Sequence, residues 1–310
     1  MSGSGTVGAG PGERRQLVNV AYRLLGSVTE AEDAVQEAYT RWFAQPAGKR
    51  EAVASPGAWL TTVTGRICLD VLGSARVRRE RYVGEWLPEP VPDRGEWAGR
   101  LPAADPADQI TLDESVTMAF LVVLETMTPA ERVAFVLHDV FRYSFPEIST
   151  IVGRTPGACR ELASSGRRRV RAAKSAAGQG TSAAGQGTST VGQAEVVRHV
   201  KEAWEARNIA ALVGVLDPDA VMTADGGGLV GTVLRPVEGG ARIAQYMIAI
   251  ADKAPGLRLL ECTVAGAPGL VAQLGGVTAT VAAFATAGGR ATRIWVVRNP
   301  EKLRLWTPAD

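Results

Sequence analysis

Residues Ser144 to Arg171 constrain this chain more than any other stretch, because their punctuation fits two short helices around a tight turn and little else. Ser144 with Glu147 three residues on is the pattern of a capping box. Gly153 stands where the first helix must stop, and glycine tolerates the left-handed backbone that ends helices. Thr155 then caps a second helix with Pro156 at its first position. Ile148, Ile151 and Val152 are predicted to face inward from one helix, and Ala158 and Leu162 from the other. This is helix-turn-helix grammar, in which the second helix enters a DNA major groove. From Phe141 to Lys174 there are eight basic and two acidic residues, in a chain whose net charge is only +2. A basic helix end alone would be a solvated face favoured by the helix dipole. Joined to a capped helix-turn-helix, it points to phosphate contact.

A chain of 310 residues has room for two or three domains, and 46% hydrophobic with 21% charged residues is ordinary for globular protein. No stretch approaches the roughly 20 apolar residues of a membrane span. Met1 to Gly12 is rich in Gly and Ser and lacks the apolar core of a signal peptide, so a cytoplasmic protein without a membrane partner is expected. Cys68, Cys159 and Cys262 are odd in number and far apart, which argues against a disulfide framework. With only His138 and His199 besides, no metal site is predicted, and no cofactor. His138 is read as a half-buried packing residue of a helix from Glu131 to Phe141.

The clearest boundary is a perfect tandem repeat, Ser-Ala-Ala-Gly-Gln-Gly-Thr, at 175–181 and again at 182–188. Such a composition cannot bury a core, so it reads as a flexible tether. A softer boundary carries Pro88, Pro90, Pro92, Pro102 and Pro106, a density that blocks helix and ladder alike. The expected organisation is a disordered N-terminus (1–12), helices (13–82), a Pro-rich linker (83–110), a helix-turn-helix unit (111–174), the tether (175–193) and a mixed domain (194–310). In the first unit, helical spacing predicts Arg14 to Leu25, a second helix capped by Thr29 and running to Phe43, and a third entering at Ser55-Pro56 and ending in an arginine cluster. In the last, helices at 194–207, 209–216 and 239–250 and strands at 220–223, 257–264, 270–274, 277–284 and 292–297 indicate an α+β domain with an antiparallel sheet.

Several segments together resemble the bacterial extracytoplasmic-function (group IV, sigma-70 family) RNA polymerase sigma factors, in the branch with a SnoaL-like, NTF2-fold C-terminal extension. They are Ala21-Tyr-Arg-Leu-Leu-Gly-Ser-Val-Thr-Glu-Ala-Glu-Asp-Ala-Val-Gln-Glu-Ala-Tyr39, Trp59-Leu-Thr-Thr-Val63, Leu69-Asp-Val-Leu72, Trp86-Leu-Pro-Glu-Pro90, Leu124 to Phe141, Asp225-Gly-Gly-Gly228 and Val297 to Leu303. The resemblance implies two all-α bundles, sigma region 2 and the region 4 helix-turn-helix, plus an α+β cone. It implies core RNA polymerase and promoter DNA as partners. Asp33, Gln36, Glu37 and Arg41 would dock on the clamp helices of core polymerase, Asp33 and Glu37 being four apart and hence on one helix face. Trp59, Arg66, Arg76, Arg78 and Arg79 would serve the −10 element, where bases stack on rings and phosphates meet cations. Thr155, Arg160, Ser164, Arg167 and Arg168 would serve the −35 element, with Arg160 the candidate for a base edge. Trp86, Leu87 and Pro88 would meet Asp225, Gly226, Gly227 and Gly228 in a regulatory interdomain contact. The sequence departs from the pattern at Leu229, where a basic residue is usual, and at Gly65, Gly73 and Gly166, each inside a helix at a cost of about 1 kcal/mol.

Two other functions remain open at this point: a helix-turn-helix regulator that works without polymerase, and a DNA-binding module fused to a small-molecule-binding or enzymatic SnoaL-like domain. An NTF2-like cone encloses an apolar pocket, which makes its cavity a candidate ligand site. Catalysis would need an acid–base pair there, for which Asp225, His199 and Asp219 are the candidates. A turn in which Asp225 bonds its own backbone is the simpler account, so no catalytic residue is assigned and the chain is not expected to be an enzyme.

Overall fold

The computed structural model describes residues 11–79, 82–93, 117–178 and 190–306. Most of the N-terminal segment, residues 94–110 of the linker and the greater part of the tandem-repeat tether lie outside the described residues. The chain divides into two units, one built from residues up to Val77 together with 103–111 and Met127–Arg167, the other from Arg78–Pro102, Leu112–Thr126 and everything from Arg168 on.

The first unit is helical. Helices α1 (Pro11–Leu25) and α2 (Val28–Phe43) pair through Leu17, Val18, Tyr22 and Leu25 on one side and Ala31, Val35 and Ala38 on the other, all buried. The cap of α2 is Ser27, whose hydroxyl accepts from the Glu30 amide at 3.3 Å, and not Thr29. The reason is geometric: the capping oxygen must sit before the first helical residue with extended backbone, as Ser27 does at φ −132°. A short α3 (Ala47–Glu51) leads to α4 (Pro56–Arg79).

Helix α6 (Pro129–Phe135) opens with a Thr128–Glu131 capping box and runs into a π-helical turn at Val136–Val140. Then come α7 (Phe145–Val152) and α8 (Pro156–Gly178), the helix-turn-helix. Both halves of the predicted Ser144–Glu147 capping box are made, and Gly153 takes φ +69° at the turn. Hydrogen bonds from Ser144 hold the Glu147 carboxyl below its ordinary range. Ile148 and Ile151 face inward as predicted, but the inward positions of α8 are Cys159 and Ala163, not the half-buried Ala158 and Leu162. His138 is half-buried, its ring stacked on Phe145 with centroids 4.1 Å apart.

In the second unit, α5 (Met118–Glu125) and the strap 82–93 join α9 (Thr190–Glu205), α10 (Ile209–Val215), α11 (Gly240–Lys253) and a six-stranded sheet. The strands are β1 (Leu216–Asp225), β2 (Val237–Glu238), β3 (Arg258–Val264), β4 (Ala267–Leu274), β5 (Val277–Ala287) and β6 (Arg290–Val297), in the order β2-β1-β6-β5-β4-β3. The sheet is mixed, not antiparallel: β1 lies parallel to β6. A parallel pair needs a long crossover, and everything from β2 to β5 supplies it.

This α+β domain buries both faces of its sheet. Alternate residues divide between them, as period-2 geometry requires. Leu270, Ala282 and Ile294 join α9, α10 and α11 in one core, whereas Val271, Val281 and Trp295 join Leu87, Met118, Leu303 and Trp306 in the other. Half of the C-terminal core is thus completed by residues from the linker and from α5.

The interior glycines have mixed explanations. A Cβ on Gly166 would lie 2.8 Å from Phe135 Cβ, so α8 and α6 approach each other closely there. Gly73 has open space around it, and nothing in the structure explains it. Gly166→Ala gains helix propensity worth about 1 kcal/mol but overpacks against Phe135, a cost of about 1–3 kcal/mol. Urea denaturation should therefore show a net loss of stability for Gly166→Ala, and a gain for Gly73→Ala.

Candidate functional site

Helix α2 buries Ala31, Ala34, Val35, Ala38 and Trp42, which leaves Asp33, Gln36, Glu37 and Arg41 together on its exposed face. Arg41 Nε donates to Glu37 Oε1 at 2.8 Å, an i,i+4 pair that presets the carboxylate's direction. Arg14 Nη1 donates to Gln36 Oε1 at 3.5 Å.

The residues read as −10 contacts fare differently. Trp59 is half-buried against Trp42, with ring centroids 5.1 Å apart. Arg66 extends from α4 to α7, where Nη2 and Nε donate to the Thr150 carbonyl at 2.7 and 3.1 Å. Around it, Thr61 and Tyr143 share a hydroxyl hydrogen bond at 3.2 Å, and a Cβ on Gly65 would stand 2.8 Å from Ile151 Cγ2. Arg132, almost fully buried, donates to the Leu24 carbonyl at 2.9 Å, and burial brings its pKa down to about 10. The two helical modules of this unit are therefore packed on each other through α4–α7 and α1–α6. The side chains of Arg76, Arg78 and Arg79 lie outside the described residues.

On α8, Thr155 is committed to the cap, accepting from Ala158 N at 3.2 Å. Arg160 is exposed, its guanidinium 5.2 Å from the Phe145 ring centroid, and Arg168 is exposed one face further on. Arg167 is half-buried in an ion pair with Asp139 at 3.0 Å and also donates to Ser164 Oγ at 2.8 Å. Arg160 and Arg168 are thus more accessible than Arg167 among the arginines expected to contact DNA from α8.

A dense polar cluster lies in the second unit, around Asp225 at the end of β1. Its side chain is fully buried. Oδ1 accepts from Tyr82 Oη at 2.6 Å and from Gly227 N at 3.0 Å, and Oδ2 accepts from Leu87 N at 2.9 Å and Lys302 Nζ at 2.6 Å. Lys302 also donates to the Leu87 carbonyl at 2.5 Å, with its ammonium 4.1 Å from the Trp86 ring centroid and 5.2 Å from that of Tyr82. Asn299 Nδ2 donates to Tyr82 Oη at 2.9 Å, and Trp306 Nε1 to the Pro90 carbonyl at 2.8 Å. The strap continues as a short antiparallel bridge, with Ala265 N donating to the Val91 carbonyl at 2.8 Å. The structure therefore brings Leu87 and Trp86 to the Asp225 turn.

Sequence reasoning missed Tyr82, Lys302, Asn299 and Trp306 as partners of this cluster. A lone lysine in an Asn-Pro-Glu-Lys turn carries no pattern that points 77 residues back. Asp225 does bond its own backbone through Gly227, but only with one of four donors. None of Asp225, His199 and Asp219 lines the apolar cavity of the cone, and among the described residues no carboxylate or imidazole does.

An acidic helix face, a helix-turn-helix with exposed arginines and a mixed domain strapped to the linker define a two-module DNA-binding transcription protein. Residues 13–81 match the family Sigma-70 region 2, and residues 117–170 match Sigma-70, region 4. The chain is 35% identical over 300 residues to ECF RNA polymerase sigma factor SigJ of Mycobacterium tuberculosis, covering 93% of this chain and 90% of that one. It is 32% identical over 290 residues to the probable ECF RNA polymerase sigma factor SigI of the same species, covering 94% and 92%. The crystal structure of the M. tuberculosis SigJ superposes with a TM-score of 0.70 at 31% identity, covering 94% of this chain and 96% of that one. The chain belongs to the extracytoplasmic-function RNA polymerase sigma factors, which join core polymerase and direct it to promoters. No helix among the described residues is long and apolar enough to cross a membrane.

Removing Lys302 would strand a buried carboxylate. Lys302→Ala should destabilise the second unit by about 3–5 kcal/mol in urea denaturation. The Tyr82 hydroxyl is held above its ordinary pKa, first by burial and then by its bond to Asp225. A raised folded-state value stabilises fully below the unfolded pKa of about 10 and is lost as pH rises through the folded value. Stability of the wild type should therefore fall more steeply above pH ~10 than that of Tyr82→Phe, measured by urea midpoints across alkaline pH.

Proposed function

We propose that this sigma factor rests in a closed form and that its C-terminal unit governs opening in cis. The observation that carries the proposal is the Arg66–Thr150 clasp with its close Gly65–Ile151 contact. Elements named −10 and −35 lie about 25 base pairs apart, which is about 85 Å of duplex at 3.4 Å per base pair. Modules packed through α4 and α7 cannot span that distance, so the clasp must break before both elements are engaged. The strap 82–93 lies on the only covalent route between the two modules. Its attachment to Asp225 sets how much of that route is available to let them part.

Within this reading, Asp33, Gln36, Glu37 and Arg41 form the core-polymerase face, with charge complementarity fixing register. Arg160 reads a −35 base edge and Arg168 holds phosphate. Thr155 positions the helix through its cap, and Ser164 orients Arg167, which reaches phosphate only by leaving Asp139. Arg66 becomes available to melted DNA when α7 withdraws, alongside Trp59, Arg76, Arg78 and Arg79. Trp86, Leu87, Pro88 and the turn Asp225–Gly228 are the regulatory contact.

Run-off transcription with core polymerase across a promoter library tests these roles. Gly65→Ala, which wedges α4 from α7, should raise promoter output, whereas unchanged output would overturn the closed-form reading. Arg160→Ala should weaken −35 recognition by about 1–3 kcal/mol and relax specificity at one base; an equal loss on all sequences would make it a phosphate contact instead.

A further inference from the structure

Behind the Asp225 cluster, the concave side of the cone holds a cavity of about 120 Å³. Met222, Leu270, Phe284, Ile294 and Met247 make its walls, so it is overwhelmingly apolar. An apolar cavity of this order takes in a single aromatic ring, since water gains too few hydrogen bonds there to compete. Among its few polar lining groups are Thr232 and Arg298. The Thr232 hydroxyl is buried without a hydrogen-bond partner in the protein, and Arg298 stands beside it, donating to the Gly231 carbonyl. An unsatisfied buried hydroxyl costs about 1–3 kcal/mol, which a ligand oxygen at this point would recover.

The cavity and the Asp225 cluster share structure. Ala224 faces the cavity and the next residue, Asp225, faces the strap, as alternation along β1 requires. The amides of Arg298 and Asn299 both donate to the Asp225 main-chain carbonyl, at 2.7 and 3.0 Å. The loop from Gly226 to Leu234 carries Thr232 at the cavity. On its other side Gly228 packs so closely on Val83 that a Cβ there would lie 3.0 Å away, and Leu234 lies against Gly84.

We infer that this cavity is a ligand site for a small, single-ring aromatic compound bearing one hydroxyl or carbonyl oxygen, and that its occupancy is transmitted through loop 226–234 to the strap. The ring fills the apolar walls, and the oxygen meets Thr232 and Arg298. The transmission half rests on the regulatory reading proposed above; the binding half does not.

Phenol is the probe, titrated into the full chain by isothermal calorimetry and by amide NMR. Saturable binding is expected. Thr232→Val, which removes only the hydroxyl, should weaken it by about tenfold, the worth of one buried hydrogen bond. Ala279→Leu, at a half-buried cavity wall, should abolish it without unfolding the chain. In the same titration the Leu87 amide resonance should move with the binding isotherm. Absence of saturable binding, or binding indifferent to both variants, overturns the site. Binding with a stationary Leu87 amide overturns the transmission and leaves the site standing. A cis effect of the strap on transcription is read separately in the run-off assay, so its failure is distinguishable from either result.

Discussion

The structure of the second unit depends on one buried carboxylate. Asp225 has no exposed surface, and an unpaired ionised group there would cost several kcal/mol. Four donors satisfy it, and two of them, Tyr82 Oη and Leu87 N, come from roughly 140 residues earlier in the chain. Neither party is complete alone. Without the strap, Asp225 loses half its donors, and Lys302 loses the Leu87 carbonyl and the two rings that flank it. Without Asp225, the Leu87 amide is buried with nothing to receive it. The C-terminal extension is therefore built around the sigma linker from the start, not appended beside it.

The same dependence shows in the apolar packing. One face of the sheet is covered by the domain's own helices, but the other is covered by Leu87, Met118, Leu303 and Trp306. A sheet left open there would expose Val271, Val281 and Trp295. The first helix of the region 4 match, α5, thus serves the cone, while the helix-turn-helix proper belongs to the other unit. The proposed regulation by the extension would need no additional machinery, because part of the segment that connects the two modules is already a core element of the extension.

Local chemistry was legible in the sequence. The Ser144–Glu147 box, the Gly153 stop and the Pro156 entry each rest on interactions within four residues, and each was found where expected. Long-range pairing was not. Parallel pairing of β1 with β6 joins residues far apart in the chain, Val221 with Arg293 for example, which no local pattern encodes. Lys302 reads as a surface lysine until Asp225, Tyr82 and Trp86 surround it. Two helix glycines that looked like weaknesses, Gly65 and Gly166, are sites of close helix approach, and the partners, Ile151 and Phe135, are invisible without the fold. Trp59 and Arg66 have side chains suited to DNA, as read, yet both are engaged within the protein here.

The central claim is that Asp225 clamps the linker, and amide hydrogen exchange at Leu87 reads it most directly. In the full chain this amide should exchange only on unfolding of the second unit, and in Asp225→Ala it should exchange freely while the amides of β4 and β5 stay protected. Rapid exchange at Leu87 in the wild type, or protection unchanged by Asp225→Ala, would contradict the account.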